Sequence, residues 1–202
     1  MNIVNIGGQV WCKDNLNIDS FINGDALTEI KSFEEWYFAL ENRIPAFCYY
    51  DFNPEFGNEF SKIYNWYALA DERGLAPDGY KIPSNSDWIK LVEAIGGVNN
   101  GFKIAKIEDE PSSNELGFSA LPGGYLDAAD EGGFYSMYDL AIFWTLHDDV
   151  AYIGRSKYPT FEQEPTPFYM SFESDPIKIR RGSHSESSFI NCGYYVRCLK
   201  QD

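Results

Sequence analysis

The chain has 202 residues, a formal net charge of -15 at pH 7 and an aromatic content of 17%. This length suits one domain with a substantial core, and glycine and proline are scattered rather than concentrated in a linker, so we expect a single domain over residues 1–202. The negative charge disfavours nucleic acid and anionic membrane surfaces as partners, because both would repel the chain. No apolar run reaches roughly eighteen residues, so the sequence predicts no membrane-spanning helix.

The chain before residue 80 predicts a β-hairpin, two helices and one buried strand. Gly7 and Gly8 interrupt the first apolar stretch and suit a hairpin turn. Ser32 precedes an acidic first turn and an aromatic face, a pattern typical of a capped helix. Aromatic and aliphatic residues after Glu59 recur at helical spacing. The predicted elements are a hairpin over 3–11, a helix over 32–40, a strand over 46–50 and a helix over 59–72.

Residues 80–97 predict a short strand, a turn and a capped helix. Ser84 and Asn85 both suit the N-cap, and Asp87 falls in the first turn, where the helix dipole favours a carboxylate. Apolar residues then recur at the spacing of one helix face, and two glycines end the helix. We expect Trp88 to anchor this helix in the core. The apolar residues are Trp88, Leu91, Val92 and Ile95.

The second half of the chain predicts strands. Gly123 and Gly124 suit a tight turn, because glycine adopts backbone angles that other residues resist. Helices early and strands late are typical of an α+β domain with antiparallel sheets rather than of alternating βαβ units. The predicted strands cover 101–107, the start of 117–125, 134–138, 141–145, 168–172, 177–180 and 194–199.

Several short segments, spread in order over nearly the whole chain, carry a resemblance to one known family. They are Gln9-Val10-Trp11, Asn15-Leu16-Asn17, Tyr64-Asn65-Trp66-Tyr67, Gly79-Tyr80-Lys81-Ile82-Pro83 with Asp87-Trp88, the stretch GFSALPGGY over 117–125, and Val196-Arg197-Cys198. Together they resemble the Fibrobacter succinogenes major paralogous (FISUMP) domain, and the stretch GFSALPGGY is the most specific of them.

The resemblance implies a fold similar to that of the formylglycine-generating enzyme and of C-type lectin-like domains. Such a fold has two main helices, small antiparallel sheets and long loops gathered on one side. The resemblance also implies a bacterial protein, usually exported or attached to a surface. It supplies no activity.

The four cysteines leave the cellular compartment open. Members of the family commonly carry a cysteine at the position of Leu75, so the partner that the resemblance implies for Cys198 is absent, and Cys192 is an alternative partner. A lost disulfide favours a reducing compartment, either the cytoplasm or a particle assembled there. The first residues lack the basic and apolar segments of a signal peptide, which favours either synthesis without export or removal of a signal.

Aromatic residues in a long irregular stretch, about 147–175, offer a handle for a ligand. Aromatic faces in loops bury area at a small entropic cost, which suits a carbohydrate or a polypeptide. The alternative is that the same rings fill the core. The candidate ligand-binding residues are Tyr152, Tyr158, Phe161 and Tyr169.

Carboxylates in the same stretch would suit a calcium ion, which prefers oxygen ligands. Their spacing fits no EF-hand loop, and solvent-facing acidic residues are the alternative interpretation. The candidate calcium ligands are Asp148, Asp149, Glu164 and Asp175.

No catalytic set emerges from the sequence. His147 and His184 lie in polar stretches without a nucleophile motif such as G-x-S-x-G. Cys192 and Cys198 lack the surroundings of the copper-dependent cysteine pair in the formylglycine-generating branch, so buried structural thiols are the simpler interpretation. We therefore expect a non-catalytic binding or adhesion module without a cofactor. A structural component of a larger surface or particle assembly is the alternative, followed by an oxidase of the formylglycine-generating type.

Overall fold

The structure is a computed structural model, which describes residues 2–111, 113–129, 131–146, 167–172, 177–181 and 189–201. These residues form an α+β fold with two ten-residue helices and three small sheets. The predicted α+β class is confirmed. Among the described residues, no helix has the length and apolar character needed to cross a membrane.

Four α-helices precede most of the sheet residues. The helices are α1 Phe33–Asn42, α2 Gly57–Phe60, α3 Trp66–Ala70 and α4 Asn85–Ala94. The strands of the first half are β1 Ile3–Ile6, β2 Gln9–Cys12, β3 Thr28–Glu29, β4 Ala46–Cys48, β5 Ile63–Asn65 and β6 Tyr80–Lys81. Those of the second half are β7 Gly123–Asp127, β8 Gly133–Met137, β9 Leu140–Phe143, β10 Phe168–Ser171, β11 Lys178–Arg181, β12 Cys192–Tyr194 and β13 Leu199–Lys200.

The strands pair into sheets of four, three and six members among the described residues. The four-stranded sheet has the order β1-β2-β13-β6, the three-stranded sheet β11-β10-β9, and the six-stranded sheet β3-β4-β5-β12-β7-β8. Every pairing is antiparallel except that of β3 with β4. The predicted hairpin over residues 3–11 is confirmed as β1 and β2.

The predicted helices α1 and α4 are confirmed, because local signals fix both. Ser32 caps α1, and its side chain accepts a hydrogen bond from the Glu35 backbone N–H. Ser84 caps α4, and Asp87 returns the bond by accepting from the Ser84 N–H at 2.9 Å. This reciprocal capping box satisfies two amide groups that a helix start leaves open.

The predicted helix over 59–72 is wrong. A helical turn ends at Ser61, whose φ of 72° breaks the helix, and β5 follows. β5 lies between β4 and β12, so Ile63, Tyr64 and Asn65 are all buried. A fully buried strand lacks the alternation of apolar and polar residues, so periodicity alone does not distinguish it from a helix. Asn65 then caps α3 by accepting from the Ala68 N–H at 3.0 Å.

Two predictions for the middle of the chain are also wrong. Residues 101–107 are not a strand, because Gly101–Lys103 form a 3-10 turn and Ala105 makes only an isolated bridge to Ala120. Gly123 and Gly124 begin β7 instead of forming a turn. A Cβ at Gly124 would lie 2.3 Å from the Tyr135 carbonyl oxygen, so glycine is needed here for the close approach of β8.

The predicted strand over 194–199 is divided between two sheets. β12 lies in the six-stranded sheet and β13 lies in the four-stranded sheet. Residues 195–198 between them belong to neither strand, and the chain there crosses from one sheet to the other. Val196 and Arg197 are both fully buried in this crossing.

Trp88 anchors α4 in an aromatic core, as predicted. Its side chain is 1% exposed. Its ring centroid lies 4.2 Å from that of Phe168 and 4.8 Å from that of Trp11. Phe143 and Phe118 complete the contacts at 5.5 and 6.1 Å. Trp88 therefore joins α4 to the three-stranded and four-stranded sheets.

Candidate functional site

Most of the predicted site residues lie outside the described residues. This holds for the ligand candidates Tyr152, Tyr158 and Phe161, for the calcium candidates Asp148, Asp149, Glu164 and Asp175, and for His147 and His184. Those predictions stay predictions.

Tyr169 is the predicted ligand residue that the structure describes. It lies on β10, opposite Ile142 of β9 and Arg180 of β11. Its side chain is half-buried and packs against the second apolar cluster, around Trp144 and Tyr194. Tyr169 is therefore a sheet residue with one partly accessible face.

A different concave site forms where five chain segments meet. It has a volume of about 480 Å³, which falls in the usual range of ligand pockets, about 300–1,000 Å³. We call it the Tyr138 groove. Its lining residues are Glu59, Phe60, Lys106, Ile107, Glu108, Leu121, Pro122, Tyr138 and Phe172.

Tyr138 occupies the turn between β8 and β9 in a backbone conformation that disfavours a large side chain. Its φ is 69°, in the left-handed region, where residues other than glycine cost of order 1–3 kcal/mol. Its N–H donates to the Pro122 carbonyl oxygen at 2.7 Å, which ties the turn to the opposite wall of the groove. The side chain is 62% exposed, yet its ring centroid lies 6.1 Å from that of Phe60. The fold therefore displays an aromatic ring at the groove.

Three charged residues also line the Tyr138 groove, whose other walls are mainly apolar. Glu59 on α2 and Glu108 contribute two carboxylates, and Lys106 contributes one ammonium group. The local balance is negative, in line with the net charge of -15 for the whole chain. Such a site attracts a ligand with a positive charge beside an apolar group.

The lining of the Tyr138 groove combines apolar and ionisable side chains. Among the described residues, its lining includes no cysteine, histidine or serine, and its ionisable side chains are those of Glu59, Lys106, Glu108 and Tyr138. Within the part of the chain that the structure describes, no group of three or more His, Cys, Asp or Glu side chains is placed to hold a metal ion. The groove can bury an apolar group and pair it with a charge.

Comparison with known proteins identifies the family. The model of the Fibrobacter succinogenes major domain matches residues 4–200. The chain belongs to this family. No curated protein and no solved structure matches the chain.

Three of the segments that resemble the Fibrobacter succinogenes major domain meet at Arg197, which is fully buried. Its Nη1 donates to the carbonyl oxygens of Phe118 at 2.6 Å, Cys12 at 3.1 Å and Lys13. Its Nη2 donates to Asn15 Oδ1 at 2.8 Å. Burial lowers the pKa of Arg197 to about 10, so the guanidinium stays charged at neutral pH. Its role in the domain is to join the first hairpin, the stretch GFSALPGGY and the last crossing of the chain.

All four cysteines of this Fibrobacter succinogenes major domain are buried, and no disulfide joins any of them. Cys192 lies on β12 opposite Asp127. The residue opposite Cys198 is Cys12 instead, because Leu199 pairs with Trp11 in the antiparallel ladder of β13 and β2. The structure therefore places Cys12, and not Cys192, beside the closing residues of the chain.

The Tyr138 groove was not predicted from the sequence. Its members come from positions between 59 and 172, and only the pairing of the strands brings them together. The sequence predicted Tyr138 as the last residue of the strand over 134–138, whereas in the structure β8 ends at Met137 and Tyr138 lies in the turn that follows.

Proposed function

We propose that this Fibrobacter succinogenes major domain is a non-catalytic binding module that holds a polypeptide segment in the Tyr138 groove. The observation that carries the proposal is Tyr138 itself, a large aromatic residue kept at a positive φ and left 62% exposed. This backbone conformation favours glycine or asparagine, so a tyrosine here costs stability. Retaining strain of this kind is typical of ligand sites.

The chemistry of the groove favours a polypeptide over a carbohydrate. The walls are mainly apolar and include Leu121, Pro122 and Phe172. A sugar would need many hydrogen-bonding groups, whereas an apolar side chain needs mainly apolar walls of this kind. Glu59 and Glu108 would then pair with a lysine or arginine of the ligand. The proposed ligand is therefore a polypeptide segment with an apolar anchor next to a basic residue.

One described residue of the stretch in which the sequence predicts recognition lines the groove. Phe172 belongs to residues 147–175 and lines the groove, and its N–H donates to the Asp139 carbonyl oxygen at 2.8 Å. Phe172 therefore joins the groove to the end of β10, and we propose that it contributes to the same binding surface as Tyr138.

An oxidase is a weaker alternative, although Cys12 and Cys198 do line one cavity. Burial raises the pKa of both thiols, which disfavours the thiolate that such an enzyme needs. Assembly into a larger structure is the other alternative. Native mass spectra of the chain alone and with copper(I) would address both, since a discrete oligomer favours assembly and a tightly bound copper ion favours the oxidase.

Selection of displayed random linear peptides on the immobilised protein tests the proposal. We expect enrichment of sequences with an aromatic or aliphatic residue near a lysine or arginine. Titration calorimetry of the enriched peptides should show at least about a tenfold loss of affinity in Tyr138→Asn, because truncating a central aromatic anchor costs about 2 kcal/mol or more and about 1.4 kcal/mol corresponds to tenfold. Asparagine tolerates the left-handed backbone, so this variant should fold.

Phe38→Ala is the matched control, because Phe38 is 59% exposed on α1 and does not line the groove. It should bind the peptides as the parent protein does. Lys106→Gln should strengthen binding, and the double change of Glu59 and Glu108 to glutamine should weaken it. Equal affinity of the parent protein and Tyr138→Asn for every enriched peptide would contradict the proposal.

A further inference from the structure

We propose that Cys12 and Cys198 are a site of oxidation, where a small-molecule disulfide converts the two thiols into a bond that links the first hairpin to the last strand. This inference is independent of the function proposed for the Tyr138 groove.

Strand register places the two cysteines opposite each other. Trp11 of β2 pairs with Leu199 of β13 in an antiparallel ladder, so the next pair along the ladder is Cys12 and Cys198. The Cys12 N–H donates to the Cys198 carbonyl oxygen at 2.9 Å. Opposite residues in such a ladder have Cα atoms about 4.5–5.5 Å apart, and disulfides bridge Cα atoms about 4.4–6.8 Å apart.

The two side chains also lie on the same face of the sheet. Trp11 and Leu199 belong to the apolar cluster around Trp88, whereas Cys12 and Cys198 both belong to the second cluster. Both cysteines line one cavity of about 280 Å³. The cavity leaves the sulfur atoms room to turn towards each other.

The other two cysteines lack this relationship. Cys48 lies on β4, in register with Ile63 of β5. Cys192 lies opposite Asp127. Neither of them faces a cysteine across a ladder, so both are matched controls for the pair.

The chemistry is thiol–disulfide exchange. One cysteine attacks the oxidant, releases one small thiol and forms a mixed disulfide, and the second cysteine then displaces the other small thiol. The protein loses two protons and two electrons, and the oxidant disulfide takes up both to become two thiols.

The environment of the pair sets when the bond forms. Burial raises the pKa of both cysteines, and the charge of Arg197 offsets this only in part. Thiols with a raised pKa attack slowly and leave slowly. We therefore expect the bond to form as the chain folds, while the pair is still hydrated, and to resist reduction afterwards.

The test is to unfold and reduce the full chain, refold it in a mixture of oxidised and reduced glutathione, alkylate it and map the disulfides. A parallel sample refolds in dithiothreitol. We expect a bond between Cys12 and Cys198, with Cys48 and Cys192 alkylated. The thermal midpoint should rise by about 5–15 °C over that of the dithiothreitol sample, as for a disulfide that closes a long loop in a domain of this size.

Cysteine variants in the same refolding experiment test which residues form the bond. Cys12→Ser should abolish the bond and the difference in midpoint between the two samples, whereas Cys48→Ala and Cys192→Ala should keep both. The mapping of the parent protein is decisive even if a variant fails to fold. Alkylation of all four cysteines in the glutathione sample, or a bond that joins Cys198 to Cys192, would overturn the proposal.

Discussion

The guanidinium carbon of Arg197 lies 4.6 Å from the ring centroid of Phe118, and Arg197 Nη1 donates to the carbonyl oxygen of the same residue. The Arg197 side chain thus stacks on the ring of Phe118 and also donates a hydrogen bond to the Phe118 carbonyl oxygen. Because its bonds to Phe118, Cys12 and Asn15 are buried, removing Arg197 leaves these acceptors without their donor.

Arg197→Met should destabilise the domain by about 3–5 kcal/mol, since an apolar side chain of similar length leaves several buried acceptors without donors. Arg197→Lys should also destabilise it, because an ammonium group cannot reproduce the planar fork of donors. Urea unfolding measures both changes. Arg180→Met, at an exposed position of β11, is the control and should stay within about 0.5 kcal/mol of the parent protein. Equal effects of the Arg197 and Arg180 changes would contradict the assigned role.

Trp88→Ala should lower the free energy of unfolding by about 3–5 kcal/mol, because it opens a cavity among four aromatic rings. Trp88→Phe should cost less, since the Trp88 indole N–H has no hydrogen-bond partner among the described residues. Ile89→Ala, one position along α4 and 52% exposed, is the matched control. A Trp88→Ala protein as stable as Ile89→Ala would show that α4 is not anchored as described.

Asp87 should make stability depend on acidity. Burial acts to raise the pKa of its carboxyl, but hydrogen bonds from Lys81 and Ser84 outweigh it and hold the pKa below the ordinary value. Because the pKa of Asp87 is lower in the folded state than in the unfolded state, its carboxylate stabilises the domain. This stabilisation is present above the unfolded pKa of about 3.9 and is lost as the pH falls through the folded pKa.

Asp87→Asn should therefore cost about 1–2 kcal/mol at pH 7 and much less under strongly acidic conditions. Urea unfolding of the parent protein and Asp87→Asn, from neutral to strongly acidic pH, measures how this cost changes. Glu93→Gln, on the exposed side of α4, should show no such difference. A pH-independent cost for Asp87→Asn would mean that the carboxylate charge does not contribute.

Alkaline pH should destabilise the reduced protein. Burial raises the pKa of Cys192 and of Cys198 to about 12, while an unfolded chain ionises cysteine near 8.5. The folded state then binds more protons than the unfolded state between these values, so stability falls by up to about 1.4 kcal/mol per pH unit for each thiol. Urea unfolding in the presence of reductant between about pH 8 and 11, which covers most of the range between the two pKa values, should show this decline in stability. Cys192→Ala should reduce the slope of the decline. An unchanged slope would contradict the assignment.

Local signals in the sequence were enough to predict α1 and α4. Ser32 and Ser84 act within one turn of the residues that they cap, so neighbouring sequence alone determines the outcome. The hairpin of β1 and β2 is equally local. The sequence also predicted that Trp88 lies in the core, because α4 has a single apolar face.

The other predictions were wrong because the structures concerned depend on pairing between strands that are distant in the sequence. β5 has the spacing of a helix, and its strand conformation depends on β12, more than a hundred residues later. Gly124 looks like a turn residue until β8 is placed against it. The Tyr138 groove and the facing pair of Cys12 and Cys198 also require the strand order, which periodicity does not contain.

The last two strands each fill an interior position, β12 between β5 and β7, and β13 between β2 and β6. A nascent chain therefore carries two sheets with a gap in each until these strands are synthesised. Contacts between the ends of a chain slow folding, and unpaired strand edges favour aggregation in the meantime. Both sheets are thus completed only when β12 and β13 are available, and we expect the incomplete sheets to be the aggregation-prone state of this domain.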